Sequence, residues 1–193
     1  TDYSGTSVSL SSDGSIVAIG AHLNDDNGTD AGHVRVYQYS NSDWTQLGSD
    51  IDGEAAYDQS GWAVSLSDDG SIVAIGAPYN DDNGSSSGHV RVYQYSNSAW
   101  TQLGDDIVGE AAADRLGYSV SLSSDGSIVA IGAYLNDDNG SSSGQVRVYQ
   151  YSNSAWTQLG ADIDGEAAYD WLGWSVSFSS DGSIVAIGAD RND

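Results

Sequence analysis

The chain has 193 residues, with 28 acidic side chains against five arginines and no lysine, for a net charge of -23. A phosphate-binding surface needs clustered Lys and Arg, so the composition argues against nucleic acid, docking on an anionic membrane and membrane insertion. The absence of cysteine excludes disulfides and thiolate metal sites, and no apolar run is long enough to span a bilayer. Aromatic and β-branched residues are too regularly spaced for disorder. Such acidity suits solubility in a salty or extracellular medium, or a cation-binding surface.

The chain is internally repetitive. Gly5, Gly61, Gly117 and Gly173 recur every 56 residues, and so do Asn24, Asn80, Asn136 and Asn192. Residues 61–116 and 117–172 differ at ten positions. One array therefore runs over residues 1–193, with units at 5–60, 61–116 and 117–172 and a half unit at 173–193. A fixed period of this length signals an architecture of stacked modules.

The elements of a unit follow in chain order from Gly61. Ala63 to Leu66 alternates and predicts a strand, A. Asp69-Gly70 between apolar runs predicts a tight type I′ hairpin. Ile72-Val73-Ala74-Ile75 is continuously apolar and predicts a strand, B, covered on both faces. A polar loop from Asn80 to Gly88 leads to strand C, His89 to Tyr95. Ser96-Asn97-Ser98 turns the chain into strand D, Trp100 to Leu103, and a second acidic loop, Gly104 to Leu116, returns to the next unit. Glu110 to Ala113 allows one helical turn at most. Four short antiparallel strands per unit predict an all-β fold, a β-propeller of four-stranded blades, about 3.5 of them here. The odd half unit is expected to belong to a larger propeller or assembly.

The string Leu116-Gly117-Tyr-Ser-Val-Ser-Leu122, then Asp125-Gly126, Ile131-Gly132-Ala133 and Gly144-Gln-Val-Arg-Val-Tyr149, resembles the FG-GAP repeat of integrin α subunits and microbial surface proteins, in its bacterial-type variant. The resemblance implies a propeller at the cell surface or outside the cell. This chain departs from the pattern where the Phe of "FG" should stand, at Ser4, Ser60, Leu116 and Leu172, and Gly76-Ala77-Pro78 is its one full "GAP". Many members carry a calcium loop between strands A and B; here that place holds Ser-Ser-Asp-Gly or Ser-Asp-Asp-Gly, too few oxygens to surround Ca²⁺.

A propeller puts the A–B and C–D turns on one face and the B–C and D–A loops on the other. Of the 24 acidic residues in the three full units, 19 fall in the B–C and D–A loops. Differences between units gather there too: His22, Pro78, Tyr134 and Asp190 share one register position, Tyr57, Ala113 and Tyr169 another, and Gln59, Arg115 and Trp171 a third. Thr6, Trp62, Tyr118 and Trp174 are expected just inside strand A. The candidate ligand face is therefore His22, Asp25, Asp26, Tyr57, Asp58, Tyr79, Asp81, Asp82, Arg115, Tyr134, Asp137, Asp138 and Trp171. Its expected partner is a protein or glycan, or another copy of the chain. Within each Asn-Asp-Asp-Asn-Gly loop the paired aspartates, Asp25 with Asp26, Asp81 with Asp82 and Asp137 with Asp138, could chelate Ca²⁺, against the alternative of ordinary turn chemistry. The same loops carry sequons at Asn27, Asn83 and Asn139, glycosylation sites in a secreted eukaryotic protein. Trp44, Trp100 and Trp156 on strand D either cover the blade seam or stack sugars. No motif of nucleophilic or metal-assisted hydrolysis is present, so the expected role is non-enzymatic binding, with a structural repeat of an extracellular assembly as the alternative.

Overall fold

The computed structural model describes residues 1–192. Blade 1 comprises β1 (Ser7–Leu10), β2 (Ile16–Ala21), β3 (His33–Ser40), β4 (Asp43–Gln46) and β5 (Ile51–Asp52). Blade 2 repeats this as β6 (Ala63–Leu66), β7 (Ile72–Ala77), β8 (His89–Ser96), β9 (Ala99–Gln102) and β10 (Ile107–Val108). Blade 3 follows as β11 (Ser119–Leu122), β12 (Ile128–Ala133), β13 (Gln145–Ser152), β14 (Ala155–Gln158) and β15 (Ile163–Asp164). The half unit forms the hairpin β16 (Leu172–Phe178) and β17 (Val185–Ala189). Every pairing within a blade is antiparallel, and the fold is a partial β-propeller with no helix among the described residues.

Each blade has a strand that sequence alone did not reveal. The long third strand pairs through its C-terminal half with the fourth, Tyr93 facing Gln102, and through its N-terminal half with the two-residue fifth, Val90 facing Ile107. The turns also differ from expectation. Asp13, Asp69 and Asp125 do not adopt the positive φ that a type I′ turn demands. The A–B connection is instead a four-residue loop in which the Gly14 amide donates to the Ser11 carbonyl at 2.9 Å, and Gly14 takes φ 72°. The two-residue type I′ geometry belongs to the C–D turn, where Asn41 and Ser42 sit at φ 52° and 66° and Ser40 pairs with Asp43.

The innermost strands of successive blades lie side by side, and the packing between blades explains the residue pattern. Strands β7 and β12 are covered on both faces, as the apolar run requires. Val34, Val36 and Ile51 of blade 1 join Leu66, Val73 and Ile75 of blade 2 in one core, and the same set recurs one seam further on. At the inner end of the seam two backbones touch: a Cβ on Gly76 would lie 2.0 Å from the Gly117 carbonyl oxygen, and Gly20 and Gly132 meet Gly61 and Gly173 in the same way. The serines of the innermost strands then bond across the seam, Ser7 Oγ donating to the Gly61 carbonyl at 2.7 Å and Ser9 Oγ accepting from the Leu66 amide at 2.9 Å. At the outer end the Trp100 and Trp156 indoles donate to the Leu47 and Leu103 carbonyls of the preceding blade, each at 2.8 Å. These tryptophans are seam residues; Trp44 stays 44% exposed.

Because no side chain fits at the inner seam, Gly76→Ala is expected to cost ~3 kcal/mol, the upper range for overpacking a well-filled core. Gly160→Ala, at a φ of 75° with open space around it, should cost about 1 kcal/mol. Urea unfolding of both variants checks the contrast; equal costs would contradict it.

Candidate functional site

The B–C and D–A loops of each seam are tied together before any ligand is considered. Asn80 accepts from the Asp82 amide through Oδ1 and donates through Nδ2 to Asp58 Oδ2 of the preceding loop, at 3.0 and 3.2 Å. Asp58 also accepts from the Ala55 amide at 3.1 Å and is 3% exposed. The same latch joins Asn136 to Asp114 and Asn192 to Asp170. Asp58 therefore serves the seam and not the surface. The sequon amides are engaged as well, Asn27 donating to the Gly53 carbonyl, Asn83 to Gly109 and Asn139 to Gly165, at 2.7, 2.8 and 2.7 Å.

The paired aspartates part company. Asp25, Asp81 and Asp137 turn back to cap their own loop, accepting from the amides of Asp30, Ser86 and Ser142 at 2.8, 2.7 and 2.6 Å. Asp26, Asp82 and Asp138 point the other way, into three charge clusters: Asp26 with His33 and Asp50; Asp82 with His89, Asp106 and Glu54; Asp138 with Asp162 and Glu110. The adjacent carboxylates expected to form a chelate thus do not converge. Sequence reading missed His33, His89, Asp50, Asp106, Asp162, Glu54 and Glu110. One signal was present: the three glutamates of the chain, Glu54, Glu110 and Glu166, all occupy one register position.

The variable positions do come together, at the inner mouth of the loop face. His22 packs edge-on against Trp62 at 4.9 Å between centroids, Trp62 against Tyr118 at 5.4 Å, and Tyr118 against Trp174 at 4.7 Å. Trp174 stacks on Trp171 at 5.5 Å with an interplanar angle of 16°. Arg115 donates through one nitrogen to the hydroxyls of Tyr79 and Tyr134, each at 3.0 Å, and lies over the Tyr79 ring at 4.5 Å. The Arg191 guanidinium lies over Trp171 at 3.4 Å. Burial pushes His22 down and, with Tyr134 and Tyr79 beside it, pushes Tyr118 up to about 12. Tyr57 and Tyr169 stand outside this band, 61% and 60% exposed, at φ 73° and 71°. A Tyr57 amide bond to the Thr29 carbonyl at 2.8 Å holds the first in that left-handed conformation, which costs about 1–3 kcal/mol.

On the opposite face the A–B turns contain no cation cradle. Asp125 accepts from the Ser127 amide at 2.9 Å and from the hydroxyls of Ser127 and Ser123 at 2.7 and 2.8 Å, and these bonds hold its carboxyl below the usual range. Asp181, in the same register, is pulled down to about 2.

A family model for the FG-GAP repeat matches residues 1–37, 50–93 and 109–149, and the chain belongs to this family. No curated protein matches the sequence. Among solved structures, the chain is similar to hydrazine synthase of Kuenenia stuttgartiensis, with a TM-score of 0.57 at 16% identity over 96% of this chain and 42% of that one. It is also similar to a protein assigned as a 6-phosphogluconolactonase from Bacteroides uniformis, with a TM-score of 0.58 at 13% identity over 94% of this chain and 46% of that one. The chain spans under half of either protein, and at such identities the likeness is one of fold.

The shifted groups set the pH dependence of stability. Burial raises Asp114 above its reference of 3.8, with Asp138 adding to the rise and Arg147 opposing it. Its stabilisation is therefore present below the unfolded pKa and lost as pH rises through the folded one. Asp125 and Asp181 act oppositely, stabilising above 3.8 and losing that contribution as pH falls, towards about 2 for Asp181. His22, pushed down by burial, likewise stabilises above 6.5 and loses that contribution as pH falls. Self-repulsion at a net charge of -23 relaxes on acidification and opposes these losses, so the test is run in salt, where the Debye length is about 8 Å. Thermal unfolding should then give a lower midpoint at about pH 3 than at about pH 7, one unit under the reference carboxylate against well above it. A higher midpoint at the acid end would contradict this.

Proposed function

We propose that this FG-GAP array is a non-enzymatic binding module, extracellular or at a cell surface, that presents its B–C/D–A loop face to a protein or glycan. The observation that carries this reading is the aromatic band. Where near-identical units differ, the differing residues His22, Tyr134, Arg115 and Trp171, with Trp62, Tyr118 and Trp174, pack into one continuous strip beside the acidic rim. Stacked aromatic faces flanked by carboxylates suit a sugar ring or a basic, apolar peptide.

Binding should be assayed by surface plasmon resonance against glycan and protein panels at two salt concentrations. Trp171→Ala with Arg115→Ala is expected to weaken a captured ligand at least about tenfold, in line with the removal of a central aromatic anchor. Unchanged affinity would overturn the assignment of the face.

A second reading, a structural repeat that self-associates, has one observation of its own. Val17, Ile19, Tyr37 and Trp44 form an apolar face on blade 1, of the kind that a neighbouring blade covers. Its register equivalents in blade 2 pack against blade 1. Concentration-dependent association in sedimentation, lost in Trp44→Ser, together with no ligand from either panel, would favour that reading.

A further inference from the structure

We propose that the seam between blades 1 and 2 holds a divalent cation of the zinc or cobalt type, ligated by His89, Asp82 and Asp106 of blade 2 and Glu54 of the preceding loop. His89 is 1% exposed, and its Nδ1 has no hydrogen-bond partner. That nitrogen faces Asp82 Oδ2 and Asp106 Oδ2 at 3.7 Å each and Glu54 Oε2 at 3.9 Å, beyond hydrogen-bonding distance of all three. The four atoms lie within 4.8 Å of one another. In a tetrahedral zinc site with bonds near 2.0–2.1 Å the ligand atoms stand about 3.3 Å apart, so the cluster is a coordination shell opened by about half an ångström on its histidine edges. Asp82 and Glu54 are 53% and 43% exposed, free to close that gap and to admit water as a further ligand.

The charges balance for a dication. Arg91 Nη1 pairs with the other Glu54 oxygen at 3.2 Å while its Nη2 donates to the Asp52 carbonyl at 2.8 Å. Three carboxylates less one guanidinium leave two negative charges around a buried imidazole. Gln102 Nε2 donates to Asp106 Oδ1 and orients the carboxylate so that Oδ2 faces the site. One imidazole among carboxylates favours zinc, cobalt or a similar first-row ion over calcium, which takes oxygen ligands throughout.

The two register-equivalent sites are built differently. In blade 1 Arg35 donates through Nε and Nη2 to Asp50 Oδ2 at 2.9 and 2.7 Å, so a guanidinium neutralises one of the two carboxylates, Asp26 and Asp50, that stand 3.7 Å from the likewise unpartnered His33 Nδ1. In blade 3 Gln145 replaces His89, and its amide donates to Asp138 Oδ2 at 3.2 Å and to Asp164 Oδ1 at 3.4 Å. Blade 2 alone joins an unpartnered imidazole to three carboxylates. A cation there would link blade 1's returning loop to blade 2.

The test uses the whole chain, stripped with chelator and titrated with Co²⁺ and Zn²⁺ by calorimetry and by the visible absorption of Co²⁺, in 150 mM salt (a Debye length of about 8 Å, so that diffuse attraction is screened). One equivalent per chain is expected, with at least tenfold weaker binding in His89→Gln and Glu54→Gln and a Zn²⁺-induced rise in melting temperature that His89→Gln abolishes. Blade 3 carries glutamine at this position, so His89→Gln should fold, and circular dichroism verifies that it does. Absence of saturable binding would overturn the proposal. So would unchanged affinity in folded His89→Gln, or equal competition by Ca²⁺, which marks a diffuse acidic atmosphere. None of these outcomes depends on whether the aromatic band takes a ligand.

Discussion

Glycine backbones touch where blades meet, and the rest of the structure depends on that contact. Gly20, Gly76 and Gly132 receive the carbonyls of Gly61, Gly117 and Gly173 at distances that no Cβ could share. Close approach at the inner end lets the serines of one innermost strand bond to the backbone of the next. It also brings the tryptophan of each outer strand within reach of the preceding blade. The glycine that marks the repeat thus acts twice: the Gly61 amide donates to the Gly76 carbonyl of its own blade at 3.1 Å, and its carbonyl lies against Gly20 across the seam.

That spacing sets the chemistry of the loop face. With the blades this close, the Asn80–Asp58 latch and its equivalents fasten each B–C loop to the preceding D–A loop. A carboxylate from one blade then stands beside the histidine or glutamine of the next. The aromatic band and two of the charge clusters are therefore products of the seam. The blade 1 cluster of Asp26, His33 and Asp50 lies within one unit, whereas the other two take a glutamate from the unit before.

The repeat made much of this legible. Its period, the doubly covered second strand and the sorting of acidic residues onto one face all follow from apolar pattern and turn residues, because those depend on local geometry. Whatever depends on which partner a side chain or a short strand selects was not legible. Asp69-Gly70 reads as a two-residue hairpin, but the Ser67 and Ser71 hydroxyls draw the Asp69 carboxylate into a four-residue loop. Ile107-Val108 is too short to announce itself as a strand, and only the unpaired half of β8 makes it one. Adjacent aspartates look like a chelating pair, yet Asp81 is spent on the Ser86 amide while Asp82 crosses to His89. His89 itself looked incidental because its register partner in blade 3 is Gln145; seen beside Glu54, that difference marks the seam where an imidazole meets three carboxylates.

The claim that the chemistry of this protein resides at its seams is tested most directly by anomalous scattering from crystals grown with Co²⁺. The account predicts one strong peak between Glu54 and His89, and none at the A–B turns or at Asp25, Asp81 and Asp137. A peak in an A–B turn, or occupancy spread over the outer aspartates with none at the seam, would contradict it.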